Sequence, residues 1–86
     1  MSKKIKFDPN HMIITVNKFN RACIYITYEY LKDNFNVEDV GDLTKEIKDE
    51  FRSLVPNPES YREVAIGGVE AEYLHSILED GETQVM

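Results

Sequence analysis

The chain has 86 residues, a length that suits one domain better than two, and we predict a single domain over residues 1–86. Hydrophobic residues make up 42% and charged residues 30%, an ordinary globular composition that excludes collagen-like and low-complexity classes. No apolar run reaches the roughly 18 residues that a membrane-spanning helix needs, so no membrane partner is expected. With a single cysteine, Cys23, the chain forms no intramolecular disulfide, which favours a cytoplasmic protein.

Charge is distributed unevenly along the chain, whose formal net charge is −6 at pH 7. Residues 1–32 hold six basic and two acidic side chains, whereas residues 33–86 hold four basic and fourteen acidic ones. This division predicts a surface with one region suited to anions and another suited to cations. The alternative is that the two halves neutralise each other in the folded chain.

The N-terminal third has the pattern of an antiparallel hairpin. His11–Val16 is rich in β-branched residues, and Ala22–Leu31 alternates between an apolar and a mixed face. The polar segment between them contains two asparagines, which suit a tight turn. We predict a hairpin over residues 11–31, with a third short strand over residues 3–7. A helix over residues 19–35 is the competing interpretation, which the density of Ile, Tyr and Thr disfavours.

The hydrophobic period becomes helical after residue 36. Apolar side chains recur at intervals of three and four residues, which predicts a helix over residues 37–54. Asn36 is the expected N-cap and Pro56 ends the helix. If the helix begins after Gly41 instead, Asp42 becomes the cap. The apolar stripe consists of Val37, Val40, Leu43, Ile47, Phe51 and Leu54.

The C-terminal segment permits two interpretations. An Asn-Pro pair at residues 57–58 is a helix start signal, and apolar residues then recur at every fourth position. This favours a helix over residues 58–80 with a break at Gly67-Gly68. The alternative is a strand at Glu63–Ile66, a Gly-Gly turn and a helix over residues 69–80. The predicted fold class is α+β: an N-terminal antiparallel β-hairpin of two to three strands packed against two C-terminal helices.

The sequence contains no catalytic or cofactor motif. His11, Cys23 and His75 are its borderline metal ligands, and their separation does not match a zinc site. No serine lies in a nucleophile motif, and the glycine pair lacks the flanking residues of a phosphate-binding loop. We therefore expect a protein that is not an enzyme and that holds neither a metal nor a cofactor.

Acidic side chains cluster on the predicted helix over residues 37–54. At about 100° per residue, they fill an arc separate from both the apolar and the basic arcs. Like charges four residues apart cost about 0.2–0.5 kcal/mol per pair, so stability alone does not account for this strip. The candidate partner-binding residues are Glu38, Asp39, Asp42, Glu46, Asp49 and Glu50.

This strip predicts a protein that binds, and thereby regulates or inhibits, a partner protein with a basic surface. Mimicry of a nucleic acid is one form of this function, because the carboxylates recur at about the 5–6 Å spacing of helix neighbours, similar to that of successive phosphates. A homodimer through the hairpin edge or the second helix is also expected, since so small a sheet is marginally stable alone.

The basic, aromatic N-terminal third supports a competing interpretation, a nucleic-acid-binding regulator whose tyrosines stack on unpaired bases. The sequence isoelectric point near 4.8 disfavours it, because such binding depends on phosphate neutralisation. A homo-oligomeric assembly protein is a third class. The residues of the alternative nucleic-acid site are Lys18, Arg21, Tyr25, Tyr28 and Tyr30.

Overall fold

The computed structural model describes residues 5–79 and residues 83–84, which form an α+β fold around a mixed sheet. The strands are β1 (Met12–Val16), β2 (Arg21–Thr27), β3 (Glu63–Val69) and β4 (Thr83–Gln84). The α-helices are α1 (Tyr28–Phe35), α2 (Lys45–Arg52) and α3 (Leu74–Glu79), and short 3-10 helices lie at Val40–Asp42, Pro58–Ser60 and Ala71–Tyr73. The sheet order is β3-β2-β1-β4. The predicted fold class is confirmed, but helices and strands alternate along the chain rather than following one another in two blocks.

The predicted N-terminal hairpin is confirmed. β1 and β2 pair antiparallel, with Ile14 opposite Ile24. The Asn17 side chain closes the turn, because its Oδ1 accepts hydrogen bonds from the backbone N–H groups of Phe19 at 2.9 Å and Arg21 at 3.2 Å. The predicted third strand over residues 3–7 is not formed at residues 5–7, which have no regular secondary structure, and residues 3 and 4 lie outside the described part of the chain.

The second strand is shorter than predicted. β2 ends at Thr27, and α1 begins at Tyr28, so the prediction of a strand continuing to Leu31 is wrong. Thr27 Oγ1 accepts a hydrogen bond from the Tyr30 backbone N–H at 3.2 Å and thereby caps the helix. Leu31 and Phe35, four residues apart, then lie on one helix face and pack in the core.

Two side-chain caps divide the helix predicted over residues 37–54. Asp39 Oδ1 accepts a hydrogen bond from the Val40 backbone N–H at 2.8 Å and begins a 3-10 helix. Thr44 Oγ1 accepts one from the Ile47 N–H at 3.2 Å and begins α2. Polar side chains that bond nearby backbone groups compete with a continuous helix, so the prediction of one long helix is wrong.

Neither predicted N-cap begins a helix. Asn36 adopts the left-handed conformation, with φ of 54°, and ends α1, while its backbone N–H donates to the Lys32 carbonyl at 3.0 Å. Asp42 is the last residue of the 3-10 helix. The apolar stripe nevertheless packs in or against the core, because the hydrophobic period persists across the break. Its buried members are Val40, Leu43 and Phe51, of which Phe51 is fully buried.

The helix predicted over residues 58–80 is wrong. Glu63–Val69 forms β3, which pairs parallel with β2, and the alternative interpretation placed a strand only at its first four residues. Gly67 and Gly68 lie inside this strand rather than in a turn. A Cβ at Gly68 would lie 2.5 Å from Cε1 of Tyr28, so the missing side chain makes room for that ring. The described α-helix in this region is α3, and the predicted helix end at residue 80 lies outside the described residues.

The helices are distributed over both faces of the sheet. β2, β3 and β4 run in the same direction. The connection from β2 to β3 leads toward one edge of the sheet, and the connection from β3 to β4 leads toward the other edge. Because such crossovers are right-handed, α1 and α2 lie on one face and α3 on the other. Burial agrees with this arrangement: Ile13 and Leu74 are 3% and 2% exposed, yet neither belongs to the main core.

The main core lies between the sheet and the first two helices, and Phe51 of α2 is completely buried in it. The Phe51 ring meets Phe35 edge-on at a centroid distance of 5.8 Å and Tyr30 at 6.5 Å. Edge-to-face pairs contribute about 0.5–1.5 kcal/mol beyond the burial of their area. This cluster fixes α2 against α1 and so fixes the position of the chain between them.

We expect Thr27→Val to lower the free energy of unfolding by about 1–2 kcal/mol. Thr27 is fully buried, and its Oγ1 both caps α1 and lies 3.1 Å from Nδ1 of His11. Valine keeps the shape of the side chain but removes the acceptor. Urea unfolding measures the difference. Thr44→Val, at an exposed cap, is the matched control with a smaller loss; equal stability of Thr27→Val and the parent chain would contradict the capping role.

Candidate functional site

The six predicted partner-binding acids do not share one helix. Glu38, Asp39 and Asp42 precede α2, whereas Glu46, Asp49 and Glu50 lie on it. The prediction of a single helical ridge is therefore wrong, because the caps described above interrupt the helix. The six residues still occupy one short stretch of chain, residues 38–50, which we call the acidic segment.

Two carboxylates of the acidic segment are engaged within the chain. Asp39 Oδ1 bonds the Val40 backbone N–H, as described above. Asp49 Oδ1 lies 3.0 Å from Nη1 of Arg52, one turn further along α2. Arg52 also donates from Nε to the Val64 carbonyl at 3.2 Å and so connects α2 to β3. These two acids have structural partners and are less suited to docking.

Three other carboxylates of the segment are exposed and make no ion pair with a described basic residue: Glu38, Asp42 and Glu46. Glu50 is half-buried and makes no such ion pair either. Between described side chains, the ion pairs are Asp49–Arg52 and Arg21–Glu63, the latter at 3.6 Å. The basic residues that the structure describes therefore do not neutralise these acids by direct contact.

A shallow cleft of about 490 Å³ adjoins the acidic segment. It is lined by Tyr28, Lys32, Glu38 and Glu70, which include two acidic side chains and one basic side chain. A lysine or arginine of a partner entering the cleft would meet two anionic acceptors. The cleft extends the acidic surface beyond the segment itself.

Sequence reasoning missed Glu70 as part of this surface. The parallel pairing places Val69 of β3 beside Thr27 of β2, and therefore brings the residues after both strands together. Tyr28 and Glu70 follow these two strands in the chain. The alternative interpretation, with a strand at residues 63–66, was the sequence feature that could have indicated this surface. It did not, because the partner and the direction of that strand depend on contacts between residues distant in sequence.

The five residues of the alternative nucleic-acid site are not gathered on one strand face. Tyr25 lies on β2 beside Gly67, whereas Tyr28 and Tyr30 lie on α1. The prediction that Tyr28 and Tyr30 belong to the second strand is wrong because β2 ends at Thr27. Tyr30 packs in the aromatic cluster, and burial, together with the Asp8 carboxylate, raises the pKa of its phenol. It therefore stays neutral at physiological pH.

The two basic residues of the alternative site lie near the hairpin turn. Lys18 Nζ lies 5.4 Å from the centroid of the Phe19 ring, a cation–π geometry. Arg21 faces Glu63 of β3 across the sheet, and this acid offsets its charge. Lys18 and Arg21 are thus separated in the fold from Tyr28 and Tyr30, and nucleic-acid binding stays an alternative prediction.

No group of three His, Cys, Asp or Glu side chains is close enough to hold a metal ion within the part of the chain that the structure describes, and the His75 side chain lies outside it. In the same residues, no helix is both long and apolar enough to cross a membrane. Absence of catalysis, absence of a cofactor and cytoplasmic location stay predictions.

The chain matches no protein-family model, no curated protein and no solved structure. A functional assignment therefore rests on the side chains described above.

Proposed function

We propose that this chain is a non-enzymatic binding protein whose acidic segment docks on the basic surface of a partner protein and thereby regulates or inhibits it. One observation carries the proposal: Glu38, Asp42 and Glu46 are exposed and make no ion pair with a described basic residue. Unneutralised like charges raise the free energy of the free chain, and a basic partner relieves this cost while accelerating encounter.

The backbone of the acidic segment is anchored, which favours binding. Val40 and Leu43 are buried in the core, and the Asp39 and Thr44 side chains cap the two helices of the segment. Because its backbone is already ordered, the segment loses little conformational freedom when a partner binds. The cleft beside Glu38 offers a place for one basic side chain of the partner.

A protein that binds nucleic acid through a basic groove fits this surface. In that case the acidic segment occupies the groove in place of phosphates, and binding to this chain and to nucleic acid are mutually exclusive. Competition between the chain and a DNA or RNA ligand for the captured partner tests this form of the proposal. Simultaneous binding of both would assign the segment to another basic surface of the partner.

We expect Glu38→Gln, Asp42→Asn and Glu46→Gln together to weaken partner binding at least about tenfold, equivalent to about 1.4 kcal/mol. Capture from a lysate of the source cells, at low and at high salt, identifies the partner, and titration with the purified partner measures the affinity. Binding should also weaken as salt rises, because the contacts are charged.

A matched triple variant controls for net charge. Asp33→Asn, Glu59→Gln and Glu72→Gln remove the same charge from exposed positions outside the acidic segment. The proposal requires the control to keep nearly full affinity and both triple variants to keep the circular-dichroism spectrum of the parent. An equal loss of affinity in both triple variants would mean that overall charge, and not the acidic segment, determines binding. Unchanged affinity in the acidic-segment variant would contradict the proposal.

A further inference from the structure

β3 has the composition of an inner strand but lies at an edge of the sheet. β2 pairs with one side of it, and no described strand pairs with the other. Its last six residues, Val-Ala-Ile-Gly-Gly-Val, are all half-buried, whereas the core-facing residues of β2 are at most 1% exposed. Edge strands are usually protected by lysine, proline or a charge pointing inward, and Val64–Val69 contains none of these.

The two exposed large hydrophobic side chains among the described residues lie at opposite ends of β3. Phe19 is 57% exposed and Tyr73 is 55% exposed. Phe19 adjoins Asn20, whose carbonyl accepts from the Arg62 backbone N–H at 2.8 Å at the start of β3. Tyr73 lies in the 3-10 helix that follows the end of β3. Exposed aromatic side chains therefore lie near both ends of this apolar strand.

We propose that β3 pairs antiparallel with β3 of a second copy of this chain, giving a two-fold symmetric dimer with one continuous sheet. Charge selects the register. With Ile66 opposite Ile66 of the second copy, Arg62 lies opposite Glu70, and the two-fold axis forms this pair twice. Backbone groups of β3 that point to the open edge alternate with groups that bond β2, so an antiparallel register shifts only by two residues. A shift of two residues places Glu70 opposite Val64 in one direction and Arg62 opposite Gly68 in the other. The central register is the one of these three that gives both Arg62 and Glu70 an opposite charge.

The antiparallel arrangement also brings together the ends of β3 that carry exposed aromatic residues. Because the two strands run in opposite directions, Tyr73 of one copy and Phe19 of the other lie at the same end of the paired strands. On the predicted hairpin, β3 occupies the β2 edge, whereas β4 pairs with only Thr15 and Val16 of the β1 edge. The predicted dimer contact is therefore excluded at β2, and β3 is the strand with no described partner along the whole of its outer side.

Reversal of the two charges tests the proposal. Arg62 and Glu70 are exposed, and neither side chain makes an ion pair with a described residue, so their exchange leaves the monomer fold intact. Arg62→Glu or Glu70→Arg alone places like charges opposite each other twice, and we expect a dimer weakened about three- to tenfold. The double variant Arg62→Glu with Glu70→Arg restores opposite charges and should restore the affinity. Sedimentation equilibrium near physiological salt measures all three.

Glu29→Arg is the matched control, since it makes the same charge change at an exposed position on α1 and should leave the dimer unchanged. Amide hydrogen exchange supplies a second measurement: exchange in β3 should slow as protein concentration rises, whereas exchange in α1 should not. A chain that stays monomeric up to about 1 mM, a double variant no stronger than the single ones, or concentration-independent exchange in β3 would each overturn the proposal. The acidic-segment variant should dimerise normally, so the two proposals fail separately.

Discussion

Replacing Phe51 with alanine is expected to lower the free energy of unfolding by about 3–5 kcal/mol. Phe51 is fully buried and touches two other rings edge-on, so alanine removes both apolar burial and the aromatic contacts with Tyr30 and Phe35. Small domains are stable by only about 5–15 kcal/mol, so the loss is a large part of the total. Chemical denaturation followed by circular dichroism measures it, and a large fraction of the variant should already be unfolded in mild denaturant.

Phe19→Ala is the matched comparison, because it removes the same side chain from a position that is 57% exposed. Surface changes of this kind usually alter stability by no more than about 0.5 kcal/mol. The measurement is made at a concentration low enough to keep the chain monomeric, since Phe19 adjoins the proposed dimer contact. Similar losses in the two variants would mean that the aromatic cluster does not hold α2 in place.

We expect Gly68→Ala to destabilise the chain by about 1–3 kcal/mol, which is unusual for the removal of a glycine from a strand. The new Cβ would lie 2.5 Å from Cε1 and 3.0 Å from Cζ of Tyr28, so the ring must move away from the sheet. Thermal or urea unfolding measures the loss. Tyr28→Leu should reduce the penalty of Gly68→Ala in a double-mutant cycle, because it removes the obstructing ring atoms.

Gly67→Ala provides the control within the same strand. Its Cβ would lie 3.6 Å from Cδ1 of Tyr25, an ordinary van der Waals distance. Because alanine also restricts the unfolded chain, this variant should equal or exceed the parent in stability, by up to about 1 kcal/mol. Equal penalties at residues 67 and 68 would show that a general intolerance of side chains in β3, and not contact with Tyr28, limits the strand.

Local patterns in the sequence predicted the features that depend on neighbouring residues. The hairpin followed from alternating β-branched residues around an asparagine-containing turn, and the stripe ending at Phe51 followed from helical spacing. The caps at Asp39 and Thr44 were not recognised, because the apolar period continues across them. β3 was not predicted because Gly67-Gly68, taken alone, indicates a helix break. The reason for glycine at these positions is that they lie under tyrosine rings from other elements, which the local sequence does not reveal.

In the candidate site, too, the features formed by neighbouring residues were predictable and those formed by distant residues were not. The acids of residues 38–50 are adjacent in sequence, so their clustering was predictable. The cleft beside them was not, because Tyr28 and Glu70 meet only when β3 pairs parallel with β2. Tyr28 and Tyr30 were predicted on the second strand because the end of β2 at Thr27 was not foreseen.

The parallel contact between β2 and β3 has a consequence for biosynthesis. Residues 28–62 must be made before β3 can pair with β2. Contacts between distant parts of a chain form slowly, so on the ribosome the hairpin emerges with one flank of β2 uncovered. Until residue 69 has left the exit tunnel, the flank of β2 that β3 later covers has unpaired backbone groups, and such an unpaired strand edge favours misassembly.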